Sequence, residues 1–398
     1  MAPLRIFSIV FLALVSAFAA AFDVTAKSAI IVDADTGKVL WQKDAFTKRH
    51  PASTTKIMTS LLLLENTQPA EWIVAPKGVD KIEPSSMNLR VGEKVSARGM
   101  LYALMLRSAN DGCVAVAHHV GGSVASFAKL MNERARQIGC MDTNFVNPNG
   151  LTHPKHLTTA YDLSLMAREA MKNEEFQLAV KTQKKTIARS INHKDMVMQT
   201  HNKWLAKDMT ADGIKTGYTR AAGRCYVGSA TREGFRVITV ILKSENWQVD
   251  HKAMLEWAYD NHFKQIVASP ELEIGRLNLP NSEPEAVPLM VKEHVHRIAR
   301  EDGSDPLNVQ ISYVPDVQSP VSEGQELGTV TYSDSQGWKR TVPIFAGAST
   351  QRDPFILATV GGKAGFGILA LAIVGGMAGY SKNRRSRIHA KAVRTKFI

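Results

Sequence analysis

Cysteine is scarce and odd in number: Cys113, Cys140 and Cys225 are the three in 398 residues. An odd count excludes a complete disulfide framework. Cys113 and Cys140 could pair across neighbouring helices, but buried free thiols are the expectation. No His-Glu-x-x-His occurs, which removes the zinc-peptidase pattern of two histidines on one helical face. His118-His119 and His153-x-x-His156 remain, and the second pair is expected to decorate a loop. The sequence therefore predicts no metal site and no cofactor. Acid is missing from the C-terminal end, with none after Asp353, where Lys382, Arg384, Arg385, Arg387, Lys391, Arg394 and Lys396 follow. Those seven and Arg5 account for eight of the twelve excess positive charges. The excess is thus local and abuts an apolar segment, so nucleic acid is not an expected partner.

Phe355 to Tyr380 carries one charge, Lys363, in 26 residues. At ~1.5 Å per residue such a helix is long enough to span a bilayer. The bases directly after it predict a cytoplasmic C-terminus. A helix lying in the membrane surface is the rival, but the segment has no polar face. The small-xxx-small spacings Gly361/Gly365 and Gly375/Gly379 would suit a weak homodimer contact between such helices. At the other end, Arg5, the apolar run Ile6 to Phe18 and the small residues Ala17 to Ala21 read as a secretory signal cut after Ala19 or Ala21. An uncleaved anchor is the alternative.

Three short motifs lie between these ends in a fixed order: Ser53-Thr54-Thr55-Lys56, Ser108-Ala109-Asn110 and Lys215-Thr216-Gly217. Singly they are weak. Ser-x-x-Lys recurs at Ser126 to Lys129, and Ser-x-Asn recurs at Ser86, Ser190, Ser244 and Ser381. Context selects the copies. Ser53 follows Pro51 and precedes the apolar run Ile57 to Leu64, so it should head a buried helix. The i, i+3 spacing then puts Lys56 on the same face. Ser126 lies inside an ordinary amphipathic helix, Val124 to Ile138.

The residue types in this order suit attack on an amide by a serine. A serine hydroxyl is a poor nucleophile until a base takes its proton. Lys56 can be that base if burial and a second cation, Lys215, strip its own proton. Ser108 can relay a proton to the leaving amine, and Asn110 can orient Lys56 and the substrate backbone. Lys215 and Thr216 suit a terminal carboxylate. Gly217 lets a peptide approach the strand edge, and the backbone N–H groups of Ser53 and Tyr218 are the natural oxyanion donors.

The pattern predicts a hairpin at Ala29–Val32 and Val39–Trp41, then helices at the Ser53 segment, at Gly99–Val120 with Ser108 at its middle, at 124–138 and at Ala160–Lys172. Asn147-Pro148-Asn149-Gly150 breaks the helical pattern. Lys215 should open a strand, Tyr226–Thr231 and Arg236–Leu242 a hairpin, and His251–Phe263 a closing helix. Short alternating strands follow at Glu271–Leu279, Val287–Val291, Val309–Pro315, Gln325–Tyr332 and Trp338–Phe345. Strands at both ends with helices between them imply an antiparallel sheet flanked by helices, an α/β (α+β) architecture.

The motifs resemble those of the low-molecular-mass penicillin-binding proteins of the D-alanyl-D-alanine carboxypeptidase family. Pro51–Thr59, Ser108–Asp111, Asn144–Leu151 and Gly213–Thr219 carry the likeness, which covers roughly residues 25–263 and continues more weakly through Gly324–Gly328 and Val342-Pro343. The resemblance implies a penicillin-recognising serine-transferase fold and an acyl-enzyme on Ser53. On that likeness a peptidoglycan stem peptide would lose its terminal D-alanine, water would free the enzyme, and β-lactams would inhibit covalently. Ser53, Lys56, Ser108 and Asn110 would be catalytic, and Lys215, Thr216, Gly217 and Tyr218 would bind substrate. Two departures stand out. Some members have histidine where Tyr218 stands, and the arginine that some use after the last core strand is absent from Ser244 to Lys252. The expected organisation is a signal at 1–21, a DD-peptidase domain at 22–263 and a small β-rich domain at 264–352. A membrane anchor at 353–381 and a basic tail at 382–398 complete it. The protein would be exported and held at the cytoplasmic membrane, catalytic domain outward.

A class A type serine β-lactamase and a DD-endopeptidase of the same fold are the alternatives. Glu169-Ala170-Met171-Lys172-Asn173 mimics the β-lactamase Glu-x-x-x-Asn spacing. Its place among Arg168, Lys172 and Glu174 predicts a solvated helix face instead.

Overall fold

The computed structural model describes residues 23–352, and the chain divides into two units between Asp260 and Asn261. The signal segment 1–21, the anchor 353–381 and the tail 382–398 lie outside the described residues. Among the described residues no helix is long and apolar enough to cross a membrane.

The first unit is built on five strands: β1 (Ser28–Asp33), β2 (Val39–Lys43), β3 (Ala211–Thr219), β4 (Gly223–Arg232) and β5 (Phe235–Ser244). Their order is β2-β1-β5-β4-β3, every neighbouring pair antiparallel. β3 is therefore an edge strand. Six helices are inserted between β2 and β3: α1 (Lys56–Asn66), α2 (Ala97–Tyr102), α3 (Asn110–Gly121), α4 (Val124–Ile138), α5 (Ala160–Ala170) and α6 (Glu174–Lys181). α7 (Trp247–Asn261) follows β5.

The two-residue period of a strand assigns its faces. Ile30, Val32, Val227, Val240 and Leu242 enter the apolar core shared with Ile57 and Met58 of α1 and Leu163 and Met166 of α5. Residues 226 and 228 alternate with Val227 and meet α7. Tyr226 stacks on Trp247 with ring centroids 4.1 Å apart, and His251 meets Tyr226 edge-on at 4.9 Å. A Cβ at Gly228 would lie 2.5 Å from the His251 ring, so only glycine admits the helix there. The sheet is covered on both faces, which explains why β1 is buried at every position.

α4 has its expected bounds, capped by Ser123, which accepts from the Ser126 N–H, and closed by Gly139 at φ +94°. Ser126 and Lys129 are exposed on it. Other expectations are corrected. The continuous helix from Gly99 to Val120 is broken: α2 passes into a π-turn at Ala103–Arg107, Ser108 adopts a left-handed conformation at φ +61°, and α3 begins afresh at Asn110. Lys215 does not open a strand but is the fifth residue of β3, which starts at Ala211. The closing helix ends at Asn261, and His262–Ala268 is a strand.

The second unit has a five-stranded antiparallel sheet. Its spatial order is Gly275–Asn278, Ala286–Met290, Lys339–Ala346, Glu326–Asp334 and Leu307–Tyr313. His262–Ala268 pairs separately with Val295–Arg300. Leu289, Leu327, Val330 and Ile344 are central to its own apolar core.

Candidate active site

Pro51 starts a short 3-10 turn, Ala52–Thr55, that runs into α1. Ser53 thus stands in the turn rather than in the α-helix proper. Ala52, just before it, has φ +49°, a left-handed conformation that costs a non-glycine residue about 1 kcal/mol. Two glycines let other backbone close on the turn. A Cβ at Gly150, itself at φ +88°, would lie 1.9 Å from the Ala52 carbonyl oxygen, and one at Gly217 would lie 3.0 Å from the Ser53 nitrogen. The edge strand β3 and the 147–150 turn therefore press against the Ser53 turn.

Lys56 is fully buried. Its Nζ lies 3.0 Å from Ser53 Oγ, 2.7 Å from Asn110 Oδ1 and 2.7 Å from the Asn149 carbonyl oxygen. The Asn110 amide has its orientation fixed, because Nδ2 donates to the Glu83 carbonyl at 2.9 Å; the oxygen must then face Lys56. Two of the three partners of Nζ can only accept. A neutral amine has two N–H bonds to give them, and its lone pair is left pointing at Ser53 Oγ. Burial lowers the Lys56 pKa, with the Asp111 carboxylate pulling in the opposite direction. Desolvation thus favours the neutral form a base requires.

Lys215 is buried in the middle of β3, its Nζ 2.9 Å from the Thr216 carbonyl. Burial, with the Lys56 charge adding to it, lowers its pKa to about 7. Along β3 exposure rises toward the end: Thr216 and Gly217 are half-buried and Tyr218 is 66% exposed. Ser108 is buried two residues before Asn110, but it makes no direct hydrogen bond to Lys56 among the described residues.

The structure thus gathers Ser53, Lys56 and Asn110 around one nitrogen and brings Gly217 against Ser53. Sequence reasoning missed Asn149, whose carbonyl completes the Lys56 shell. Its signal was the Asn147-Pro148-Asn149-Gly150 segment, read as a break in the helical pattern and as part of the family likeness, with no role given to Asn149. The loop behind Asn110 was missed as well. Asp111 accepts from the Ser86 hydroxyl and the Met87 and Leu89 N–H groups at 2.6–3.0 Å. A buried Arg189–Glu93 pair at 2.9 Å anchors the same loop, Arg189 also donating to the Met87 carbonyl. Glu169, the β-lactamase mimic, is paired instead with Arg134 and Lys172 at 2.7 and 2.6 Å. All three cysteines are buried and free.

Comparison with known proteins gives a consistent result. The family model described as D-alanyl-D-alanine carboxypeptidase matches residues 15–246, more than half of the chain. D-alanyl-D-alanine carboxypeptidase DacF of Bacillus subtilis is 30% identical over 343 residues, 83% of this chain and 87% of the relative. A solved mutant of the Streptomyces K15 DD-transpeptidase is 30% identical, with 60% of this chain and 99% of that one aligned at a TM-score of 0.56. A peptidoglycan synthesis regulatory factor, PBP3, from Streptococcus pneumoniae superposes with a TM-score of 0.69, covering 82% of this chain and all of the other, at 22% identity.

Proposed function

Because the chain belongs to the D-alanyl-D-alanine carboxypeptidase family, we propose that Ser53 is its nucleophile, Lys56 the base, and the open edge of β3 the seat of the substrate. The protein is a serine-type D-Ala-D-Ala carboxypeptidase. The observation that carries the residue assignment is the Lys56 shell: two fixed acceptors and one hydroxyl around a buried amine.

The stem peptide lies extended along β3, its terminal carboxylate at Lys215 and Thr216. The scissile carbonyl faces Ser53, its oxygen toward the Ser53 and Tyr218 N–H groups. Lys56 takes the Ser53 proton as Oγ bonds the carbonyl carbon. The developing oxyanion is held by the two backbone donors. Collapse breaks the D-Ala–D-Ala bond, and the proton held by Lys56 passes through the Ser108 hydroxyl to the departing amine, which leaves Lys56 neutral again. Water then attacks the ester with Lys56 as base, releasing the shortened peptide and restoring the Ser53 hydroxyl. A β-lactam acylates Ser53 by the same first step.

The test is mass spectrometry of the enzyme incubated with a D-Ala-D-Ala pentapeptide and with penicillin. Wild type should release one D-alanine per peptide and gain the penicillin mass on Ser53; Ser53→Ala should do neither. Adduct on Ser126 would overturn the assignment. The exposed position of Ser126, in the first turn of α4, argues against it. Release of an internal cross-linked residue instead of terminal D-alanine would favour the endopeptidase.

We also propose export and attachment to the cytoplasmic membrane through the Phe355–Tyr380 segment, on its length and the basic run after it. Alkaline carbonate should leave the full-length enzyme in the membrane fraction, and a chain ending before Pro354 should be soluble and still bind penicillin. Release of the full chain by carbonate would restore the surface-helix alternative.

A further inference from the structure

His156 was expected to decorate a loop, yet it is 1% exposed. Its two ring nitrogens join two segments of the site. The Val146 N–H, which can only donate, lies 3.1 Å from Nδ1, so Nδ1 is the acceptor. Nε2 must then carry the proton, and it donates to Thr55 Oγ1 at 2.9 Å. Burial, with His50, His153 and Lys56 nearby, lowers the pKa of the ring to about 3, so this tautomer is kept across the working range. The ring also packs against Phe145, centroids 5.5 Å apart.

The two tethered segments are those that set the Lys56 geometry. Thr55 ends the nucleophile turn and directly precedes Lys56. Val146 opens the turn whose Asn149 carbonyl takes one Lys56 N–H. Side-chain bonds within that turn fix Asn149 locally: Asn147 Oδ1 accepts from the Gly150 N–H at 2.7 Å, and Thr59 Oγ1 reaches the Pro148 carbonyl at 2.5 Å. The Thr59 bond ties the turn to α1 one helical turn beyond Lys56; the His156 bond ties it to the residue before Lys56. A carbonyl that slides away from Nζ frees an N–H to swing toward Ser53, and the lone pair then leaves the nucleophile.

We propose that His156 is a positioning residue for acylation: by bridging the Val146 amide and the Thr55 hydroxyl, it holds the Asn149 carbonyl in register with Lys56 and so keeps the amine lone pair on Ser53. The proposal rests on the reading of Ser53 and Lys56 as nucleophile and base. It predicts that breaking the bridge slows the chemical step without weakening substrate binding.

The experiment is rapid-mixing acylation of the full chain by a fluorescent penicillin, separating the binding constant from the acylation rate. Thr55→Val replaces the hydroxyl by a methyl of the same shape. Its acylation rate should fall roughly 10- to 100-fold, the scale of a small misplacement of a reacting group, with the binding constant kept. Thr55→Ser should restore the rate. His156→Leu should show a similar loss, and the double variant Thr55→Val/His156→Leu should lose no more than the worse single one, as partners in one bond do. A wild-type acylation rate in Thr55→Val, or losses that multiply in the double variant, would overturn the proposal. If His156→Leu does not fold, the Thr55 pair decides alone. Ser53→Ala run alongside separates the two levels. Labelling that survives it fails the nucleophile reading, whereas a silent Ser53→Ala beside a normal Thr55→Val fails only the role of His156.

Discussion

Replacing Lys215 by methionine should make the protein more stable at neutral pH while crippling it as an enzyme. Lys215 is fully buried, and its pKa drops from 10.5 to about 7, chiefly through burial and secondarily through the Lys56 charge. One pKa unit corresponds to ~1.4 kcal/mol, so at pH 7 the native state gives up about 4 kcal/mol relative to an unfolded chain in which the amine is fully protonated. Methionine fills a similar volume with no charge to desolvate; imperfect packing takes back about 1 kcal/mol. The sign follows from proton counting. Between pH 7 and 10.5 the unfolded lysine binds more proton than the native one, so wild-type stability rises with pH across that window. The variant lacks this term. Its advantage should therefore be largest near pH 7 and fade as pH approaches 10.5. Urea denaturation of both proteins at several pH values between 7 and 10 measures it: groups remote from Lys215 cancel in the difference, while Lys56 and Cys113, which couple to it, add to the difference. Parallel curves, with the methionine variant no more stable anywhere, would refute the idea that the fold holds this lysine against its own solvation.

The same lysine gives a functional counterpart. Above pH 7 kcat/KM for a free-acid pentapeptide should decline as Lys215 of the free enzyme loses its charge, while a C-terminally amidated peptide, turned over poorly, should show no such limb; identical profiles would remove Lys215 from carboxylate recognition. Gly150→Ala should abolish penicillin labelling, since a methyl group there collides with the Ala52 carbonyl; a labelled, folded Gly150→Ala would mean that the Ser53 turn tolerates displacement. Arg189→Leu strands Glu93 without its partner in a buried site and should cost about 3–5 kcal/mol, with labelling lost along with the loop behind Asn110. Arg189→Leu/Glu93→Leu should recover most of the stability, measured by thermal melting.

The chemistry of this site was more legible in the sequence than its backbone. Three motifs in order pointed to Ser53, Lys56, Asn110 and Lys215 because each residue type suits the task proposed for it, on a proton or on a carboxylate. The helix break at Ser108 was invisible: Ala103 to Leu106 are all apolar and buried, so the helical pattern runs through the π-turn without a flaw. Tertiary contacts, not local propensity, decide it, with the Asn110 N–H drawn to the Ser85 carbonyl at 2.8 Å. β3 was started too late because Asp212-Gly213 reads as a turn. In the fold Asp212 is paired with Lys181 and Arg236 and accepts from Thr231, so a charged residue sits inside a strand. His156 was misjudged because a histidine near Gly, Pro and Thr looks solvated until its two partners, ten and about a hundred residues away, are brought to it.

The open edge of β3 has a consequence for how much of a wall polymer the enzyme can sense. An uncovered sheet edge invites any extended chain, including another copy of the protein. Here the first five residues of β3 are buried, with Gly213 lying against Val180 of α6. Only Thr216 to Thr219 are left accessible. Four strand residues measure about 13 Å, room for the last few residues of a peptide and no more. The short exposure limits self-association, and it also makes the enzyme near-sighted. Peptides that share their final residues but differ upstream should be turned over at similar rates, so the state of the mesh farther along each strand would go unread.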